Sequence, residues 1–352
     1  MPSDSRTTSA TTAPGEAGDC VVCGVDVGDA ALAEQLRSGL ADVESLLVSR
    51  LETGEEFLSE VALHLVTAGG KRFRPLVALL CGALGPEPDR ERLVKAAAVC
   101  EMIHLATLYH DDVMDEADTR RGVESANSRW TNSVAILAGD FLFAHASMLL
   151  AELGQDAVGL IARTFAELVT GQMRETVGAE GTAGTPETSE HYLTVVWEKT
   201  GSLIAAAAEF GGRYSGADDE QIGRLRVLGD TIGVAFQIAD DVIDIASETL
   251  ASGKTPGTDL REGVHTLPVL FALEERSPTG DRLRELLVGP LSDDAEVAEA
   301  LELLRGSEGM RRARATLDDY VARADAELDA LPAGPANEAL RRLVRFTVER
   351  AG

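Results

Sequence analysis

Two aspartate runs are the residues of this chain best suited to do chemistry. The first is His110-Asp111-Asp112-Val113-Met114-Asp115, with Glu116 and Asp118 just beyond; the second is Asp240-Asp241-Val242-Ile243-Asp244. Each follows an apolar stretch of helical periodicity, Ile103-His104-Leu105-Ala106 in one case and Val234-Ala235-Phe236-Gln237-Ile238-Ala239 in the other. On a helix, residues four apart share a face about 6 Å apart along the axis, so Asp111 pairs with Asp115 and Asp240 with Asp244. Carboxylates held that close repel each other, and a bound cation removes the cost. Oxygen-only ligands favour a hard cation. Mg²⁺ keeps several waters while bridging one or two carboxylates to substrate phosphates. An isolated acidic run is as readily a solvated helix face. Two DDxxD patterns, each embedded in apolar sequence, point instead to a cleft for Mg²⁺ and a diphosphate.

The basic residues support that chemistry. Gly69-Gly70-Lys71-Arg72-Phe73-Arg74-Pro75 packs three positive charges into four positions, and Arg120-Arg121-Gly122 follows the first aspartate run. Guanidinium forks and a lysine ammonium suit a diphosphate, and paired glycines allow close backbone approach. Cations at a helix C-terminus or a surface salt bridge would explain one motif, but not why both flank a magnesium-type site.

These side chains must be positioned by helices. The 352 residues are 45% hydrophobic but only 4% aromatic, so the core rests on Ala, Leu and Val, which suits helices better than strands. Apolar residues recur at helical spacing from Ala31 onward: Val61, Leu65 and Ala68 share one face, and Leu317, Val321, Ala324, Leu328 and Leu331 another. No stretch alternates with period two. Breaks fall at Gly69-Gly70, Gly85-Pro86, 178–186, 253–263, 278–280 and Gly289-Pro290, leaving helices of 10 to 25 residues. Thr185-Pro186 reads as an N-cap followed by proline at the first helical position. The expectation is an all-α fold in one domain over 30–352, preceded by a disordered leader over 1–29 that is rich in Ser, Thr, Ala and Gly.

Composition excludes other classes. With 59 acidic against 32 basic residues the formal charge is −27, which repels nucleic acid and anionic lipid alike. Apolar runs such as 76–84 stop short of a membrane span, and no signal peptide is visible, so the chain reads as cytoplasmic with no transmembrane segment. Four cysteines are too few for a secreted disulfide framework. Cys20 and Cys23 form a CxxC pair without two further zinc ligands, and free thiols are the simpler reading.

In order and spacing, the motifs GGKRFRP, IHLATLYHDDVMDEADTRRG, Gly139-Asp140, Lys199-Thr200-Gly201, FQIADDVID and GKTPGTDLREGVHTLP resemble those of the trans-polyprenyl diphosphate synthases. The resemblance implies an isoprenoid synthase-type helical bundle around a deep central cavity, usually a homodimer. It also implies Mg²⁺-dependent 1′-4 condensation of isopentenyl diphosphate with an allylic diphosphate. Matched position by position, Asp111, Asp115 and Asp240 would hold Mg²⁺, with Asp244 a ligand or close by. Lys71, Arg74, His104 and Arg121 would hold isopentenyl diphosphate. Arg120, Lys199, Thr200, Gln237 and Lys254 would contact the allylic diphosphate, with Thr200 and Gln237 steadying the cation. A lone histidine on an apolar helix is more often a core residue, but His104 lies two turns before Asp111 on nearly the same face. His110 and His265 receive no role; Tyr109, Trp130 and Trp197 read as packing.

Rival readings account for less. A class I terpene cyclase needs no pocket for isopentenyl diphosphate and typically carries a different second metal motif. Head-to-head synthases lack the GGKR element. A non-catalytic partner subunit would have lost aspartates or cations, and EF-hand spacing is absent. Product length rests on Ala106 and Thr107, small where short-chain relatives carry aromatic rings. Ala106 sits roughly 7.5 Å, on the order of two isoprene units, beyond Asp111, which favours a product of about thirty carbons or more over a farnesyl or geranylgeranyl one. A floor elsewhere in the cavity is the alternative.

Overall fold

Short polar side chains write the helix starts. Asp29, Asp89, Thr131, Thr188, Ser277, Asp293 and Ser307 each accept a backbone N–H of the first turn, and Asp218 with Gln221 forms a complete capping box. The structure is a computed structural model and describes residues 20–177, 188–247 and 256–349. Within them the first half runs β1 (Val21–Val22), β2 (Val25–Asp26), α1 (Ala30–Leu51), α2 (Glu56–Thr67), α3 (Phe73–Gly82), α4 (Arg90–Met114), β3 (Thr119–Arg120), β4 (Val123–Glu124), α5 (Ala126–Arg129), α6 (Asn132–Leu153) and α7 (Gln155–Val177). The second runs α8 (Ser189–Val196), a π turn (Trp197–Gly201), α9 (Ser202–Arg213), α10 (Asp219–Ala246), α11 (Thr258–Glu262), α12 (Leu267–Leu273), α13 (Pro278–Leu286), α14 (Asp294–Arg305), α15 (Glu308–Asp329) and α16 (Pro335–Glu349).

The all-α expectation holds. Helix α4 is buried on nearly every face from Ala96 to Ala106, as a central helix must be, and packs against α6, α3 and α1. Helix α10, which carries the second aspartate run, packs against α9 and α15. Close glycine contacts bring helices together beside the π turn. A Cβ on Gly233 of α10 would lie 2.5 Å from the Gly201 Cα, and one on Gly171 of α7 would lie 2.7 Å from the Lys199 nitrogen. Tyr109, fully buried on α4, donates to the Val61 carbonyl at 2.6 Å and so ties α4 to α2. Trp197 donates to Asp230 at 2.7 Å, and Trp130 packs edge-on to Phe57 and His64, in keeping with packing roles.

Several expectations need correction. Residues 20–29, assigned to a disordered leader, instead form the β1–β2 hairpin and the start of α1, with Val22, Val25 and Val27 buried and Asp26 paired with Arg342 of α16. Four residues of alternating burial are too few for a period-two signal. Positions 1–19 lie outside the described residues, as does the whole 178–186 break, Thr185-Pro186 included. Positions 278–280 do not break a helix; Pro278 opens α13 behind the Ser277 cap. Helix α10, at 28 residues, exceeds the expected range, and α5, α8, α11, α12 and α13, at 4 to 9, fall below it. Helix α6 is long and apolar enough to cross a membrane by length and composition, though 39% of its most apolar window is buried against the protein.

Candidate active site

The first aspartate run closes α4. Asp111 lies in its last turn, and Asp115 is the C-cap residue. Burial chiefly, together with repulsion from Asp115 and Glu175, pushes the Asp111 carboxyl up to about 6 against the attraction of Lys199 and Arg120. Asp112 points the other way: it is fully buried and accepts a hydrogen bond from Arg120 Nε at 2.6 Å. The chain then turns through the β3–β4 hairpin. Its two loop residues, Arg121 and Gly122, both have positive φ, as a two-residue hairpin of the I′ type requires.

The second run sits in the last turns of α10. Asp241 is buried and accepts hydrogen bonds from the Tyr192 hydroxyl and, at 3.0 Å, from Gln237 Nε2. Burial, with Asp259 and Asp240 nearby, holds its carboxyl well above the usual range. Asp244 accepts from the backbone amides of Thr258 and Asp259 at 3.3 and 3.4 Å. Asp240 is partly buried on the same helix.

A cavity of about 530 Å³ brings the two runs together, with Asp115, Lys199, Thr200, Gln237 and Asp241 in its wall. Lys199 and Thr200 reach it from the π turn, where Lys199 pairs with Glu175 of α7. Single-turn π segments inside α-helices often mark functional sites, but propensity carries no signal for one. His265, which sequence assigned no role, also lines the cavity. Among the described residues, no three His, Cys, Asp or Glu side chains stand as a ready-made metal cage. Lys254 lies outside the described residues.

The basic residues gather around an earlier part of α4, at Glu101 and His104, from the start of α3 and the β3–β4 loop. Arg72, buried with φ of +47°, bonds Glu44 and the carbonyls of Gly69 and Val66, and reaches Glu101 at 3.0 Å. Arg121 bonds the Leu65 and Gly69 carbonyls and approaches Glu101 at 3.5 Å. Its guanidinium lies where a Cβ on Gly70 would come within 2.8 Å, so the second glycine is needed for contact as well as for its positive φ. Arg74 Nε is buried without a hydrogen-bond partner. Burial first, then Arg74, Arg121, Arg120 and Arg72, hold His104 well below its usual range, so its ring is neutral. Lys71 is exposed beside them. Arg74, His104 and Arg121, three of the four residues grouped from sequence, thus stand together, with a buried Arg74 nitrogen that has no hydrogen-bond partner.

A second cavity, of about 460 Å³, opens beneath Asp111 between α4, α6 and α7, with an apolar wall that includes Phe165, Leu168, Val169 and Met173. Thr107 lines it; Ala106 is buried in the core and does not. His110 also reaches it and contacts the Ile136 carbonyl at 3.1 Å. A Cβ on Gly139 would come within 2.3 Å of that ring, which gives the Gly139-Asp140 motif a packing reason. Sequence reasoning passed over Asp112, Asp241, Tyr192, Glu175 and Glu101. The doubled aspartates held a clue for the first two, since an adjacent helical residue points about 100° away from its neighbour.

The polyprenyl synthetase family model matches residues 55–304. The chain is 59% identical over 332 residues to a nonaprenyl diphosphate synthase of Mycobacterium tuberculosis, covering 94% of this chain and 98% of that one. It is 46% identical to a dimethylallyltranstransferase of the same organism, over 92% and 98% of the two chains. Among solved structures, a geranylgeranyl pyrophosphate synthase from Corynebacterium glutamicum, complexed with calcium and isoprenyl diphosphate, superposes with a TM-score of 0.84 at 53% identity, covering 92% of this chain and 99% of that one. A decaprenyl diphosphate synthase from Rhodobacter capsulatus gives 0.81 at 33%, over 92% and 99%.

Proposed function

The chain belongs to the polyprenyl synthetase family, and we propose that it is a long-chain trans-prenyltransferase that joins isopentenyl diphosphate to an allylic diphosphate, its residues dividing the work as follows. Asp111, Asp115 and Asp240, with Asp244 beside them, hold a divalent metal. The donor set fits: all are carboxylate oxygens, Asp111 is raised chiefly by burial and further by Asp115 and Glu175, a cost that a cation would offset, and diphosphate and water oxygens would complete the shell. We take the metal to be Mg²⁺; calcium accompanies isoprenyl diphosphate in the Corynebacterium structure. When bound, it supplies charge neutralisation for the departing diphosphate.

Lys199, Arg120 and Lys254 hold the allylic diphosphate, and their positive charge favours heterolysis of its C–O bond. Thr200 and Gln237 turn oxygen dipoles toward the allylic cation so formed. Lys71, Arg74, Arg121 and the neutral His104 hold isopentenyl diphosphate so that its double bond attacks that cation. The departed diphosphate then takes the proton. The growing tail enters the apolar cavity past Thr107.

The observation that carries this reading is the meeting of Asp115, Lys199, Thr200, Gln237 and Asp241, from three separate segments, in one cavity wall. The test is to incubate the purified chain with labelled isopentenyl diphosphate and several allylic primers, with and without Mg²⁺, and to size the products chromatographically. Long Mg²⁺-dependent products are expected; short ones alone would assign the chain to the geranylgeranyl or farnesyl type. We further propose a cytoplasmic homodimer, because Ile136, Leu137 and Met148 of α6 and Val169 and Met173 of α7 are exposed apolar side chains that a second copy would cover. This use of α6 accounts for its apolar length without a membrane.

A further inference from the structure

Glu101 is an anomaly in a site built for anions. It is a carboxylate 2% exposed on α4, ten residues before Asp111, set among the cations expected to bind a diphosphate. Its Oε1 accepts from Arg72 Nη1 at 3.0 Å and lies 3.5 Å from Arg121 Nη2. A buried carboxylate survives desolvation only when paired. Here it is paired with two guanidiniums on different segments, the loop before α3 and the β3–β4 hairpin. Both carry non-glycine left-handed backbones, φ +47° at Arg72 and +55° at Arg121, which persist only when surrounding contacts hold them. The rest of the Arg72 fork is occupied by Glu44 and the Gly69 and Val66 carbonyls, so Arg72 has little left for a ligand.

We infer that Glu101 is the positioning residue of the isopentenyl diphosphate pocket: it locks Arg72 as a strut and turns Arg121 beside Arg74 and His104. This rests on the reading of Lys71, Arg74, His104 and Arg121 as that pocket. Charge alone makes the opposite prediction. Removing a carboxylate from an anion site should strengthen diphosphate binding if Glu101 only balanced charge, because the pocket would gain a net positive charge. If Glu101 aligns the guanidiniums, its loss lets like charges splay apart and binding weakens.

The direction of one constant therefore decides. Initial rates of the full-length enzyme are measured for Glu101→Gln, Glu101→Asp and Arg74→Ala, varying each substrate at saturation of the other. Glu101→Gln is expected to raise KM for isopentenyl diphosphate tenfold or more and to leave the allylic KM within twofold. Glu101→Asp, which keeps the charge, is expected to recover most of that loss. A purely structural defect would lower the active fraction, and hence kcat, without moving one KM alone. An unchanged or lowered KM for isopentenyl diphosphate in Glu101→Gln, with a raised one in Arg74→Ala, overturns the role of Glu101 and leaves the pocket standing. An unchanged KM in Arg74→Ala overturns the pocket reading itself. Should Glu101→Gln fail to fold, Arg72→Lys, which keeps the charge and loses the fork, must raise the same KM, and an unmoved value there refutes the strut.

Discussion

The two aspartate runs share one pattern and are wired differently. In each, the middle carboxylate is buried and hydrogen-bonded, but Asp112 lies outside the cleft wall while Asp241 stands in it. In the first run the anchor Asp112 is held by a charged donor, Arg120, at the frayed end of α4. In the second, Asp241 is held by neutral donors, Tyr192 and Gln237, and Asp244 by two backbone amides. A charged anchor ties the first run to the residues that meet substrate; neutral anchors fix the second without adding charge. Equal motifs therefore need not respond equally to change.

The largest effects should come from the residues the runs have in common. Asp111→Ala and Asp240→Ala are each expected to lower kcat by about 10²–10³-fold, with helicity by circular dichroism unchanged, because each removes a proposed metal ligand and no core volume. Near-wild-type turnover in either folded variant would break the two-run site. The anchors should then separate the runs. Tyr192→Phe is expected to weaken Mg²⁺ activation by about 10–100-fold, because it releases Asp241, the neighbour of the proposed ligand Asp240, as loss of an outer-shell partner does. Asp112→Asn should act instead on the allylic KM, through a released Arg120. Titrating metal and allylic substrate separately in both variants would show it, and the same constant moving in both would abolish the contrast.

A different readout tests the space under the first run. Thr107→Phe should shift products toward short chains while early condensations continue, and an unchanged product ladder would place the floor deeper. Ala106→Phe should instead lose stability by about 1–3 kcal/mol through overpacking, visible as a lowered Tm, because Ala106 is buried in the core. The smallest effect is on pH dependence. The Asp111 carboxyl is raised from 3.8 to about 6, so the native state takes up its proton before the unfolded state does as pH falls. Its contribution to stability thus grows from about 6 down to about 3.8 and is weakest at neutral pH. Metal-free Asp111→Asn is expected to be a few degrees more stable than wild type at pH 7 and to lose this advantage near pH 4, by thermal melts in chelator. A variant less stable than wild type at pH 7 would mean that the first run carries no electrostatic tension.

Most of the chemistry was legible because four-residue spacing and paired glycines follow from helix geometry whatever the tertiary context. The helices on either side of Gly69-Gly70 and Gly85-Pro86 stand where periodicity put them. What escaped depended on partners distant in sequence. Glu101 looked like one polar residue in an apolar helix, and only Arg72 and Arg121, 29 and 20 residues away, give it a role. Thr107 rather than Ala106 faces the apolar cavity because α6 and α7 decide which side of α4 is hollow. The β1–β2 hairpin was hidden because two-residue strands draw their stability from α1 and α16, not from their own pattern.

The π turn at Trp197–Gly201 works as a phase shifter between α8 and α9. Each residue of an α-helix rotates the chain by about 100°, and the wider turn absorbs one more residue than an α-turn would. Both flanking helices keep their buried faces inward, while Lys199 and Thr200 swing to a bearing that an unbroken helix could not give them. Shortening this segment by one residue would leave hydrophobic content, charge and the register of α8 with α9 almost unaltered, since an ordinary α-turn would join them, and would still turn Lys199 or Thr200 off that bearing. The chain is thus more sensitive here to residue count than to residue type.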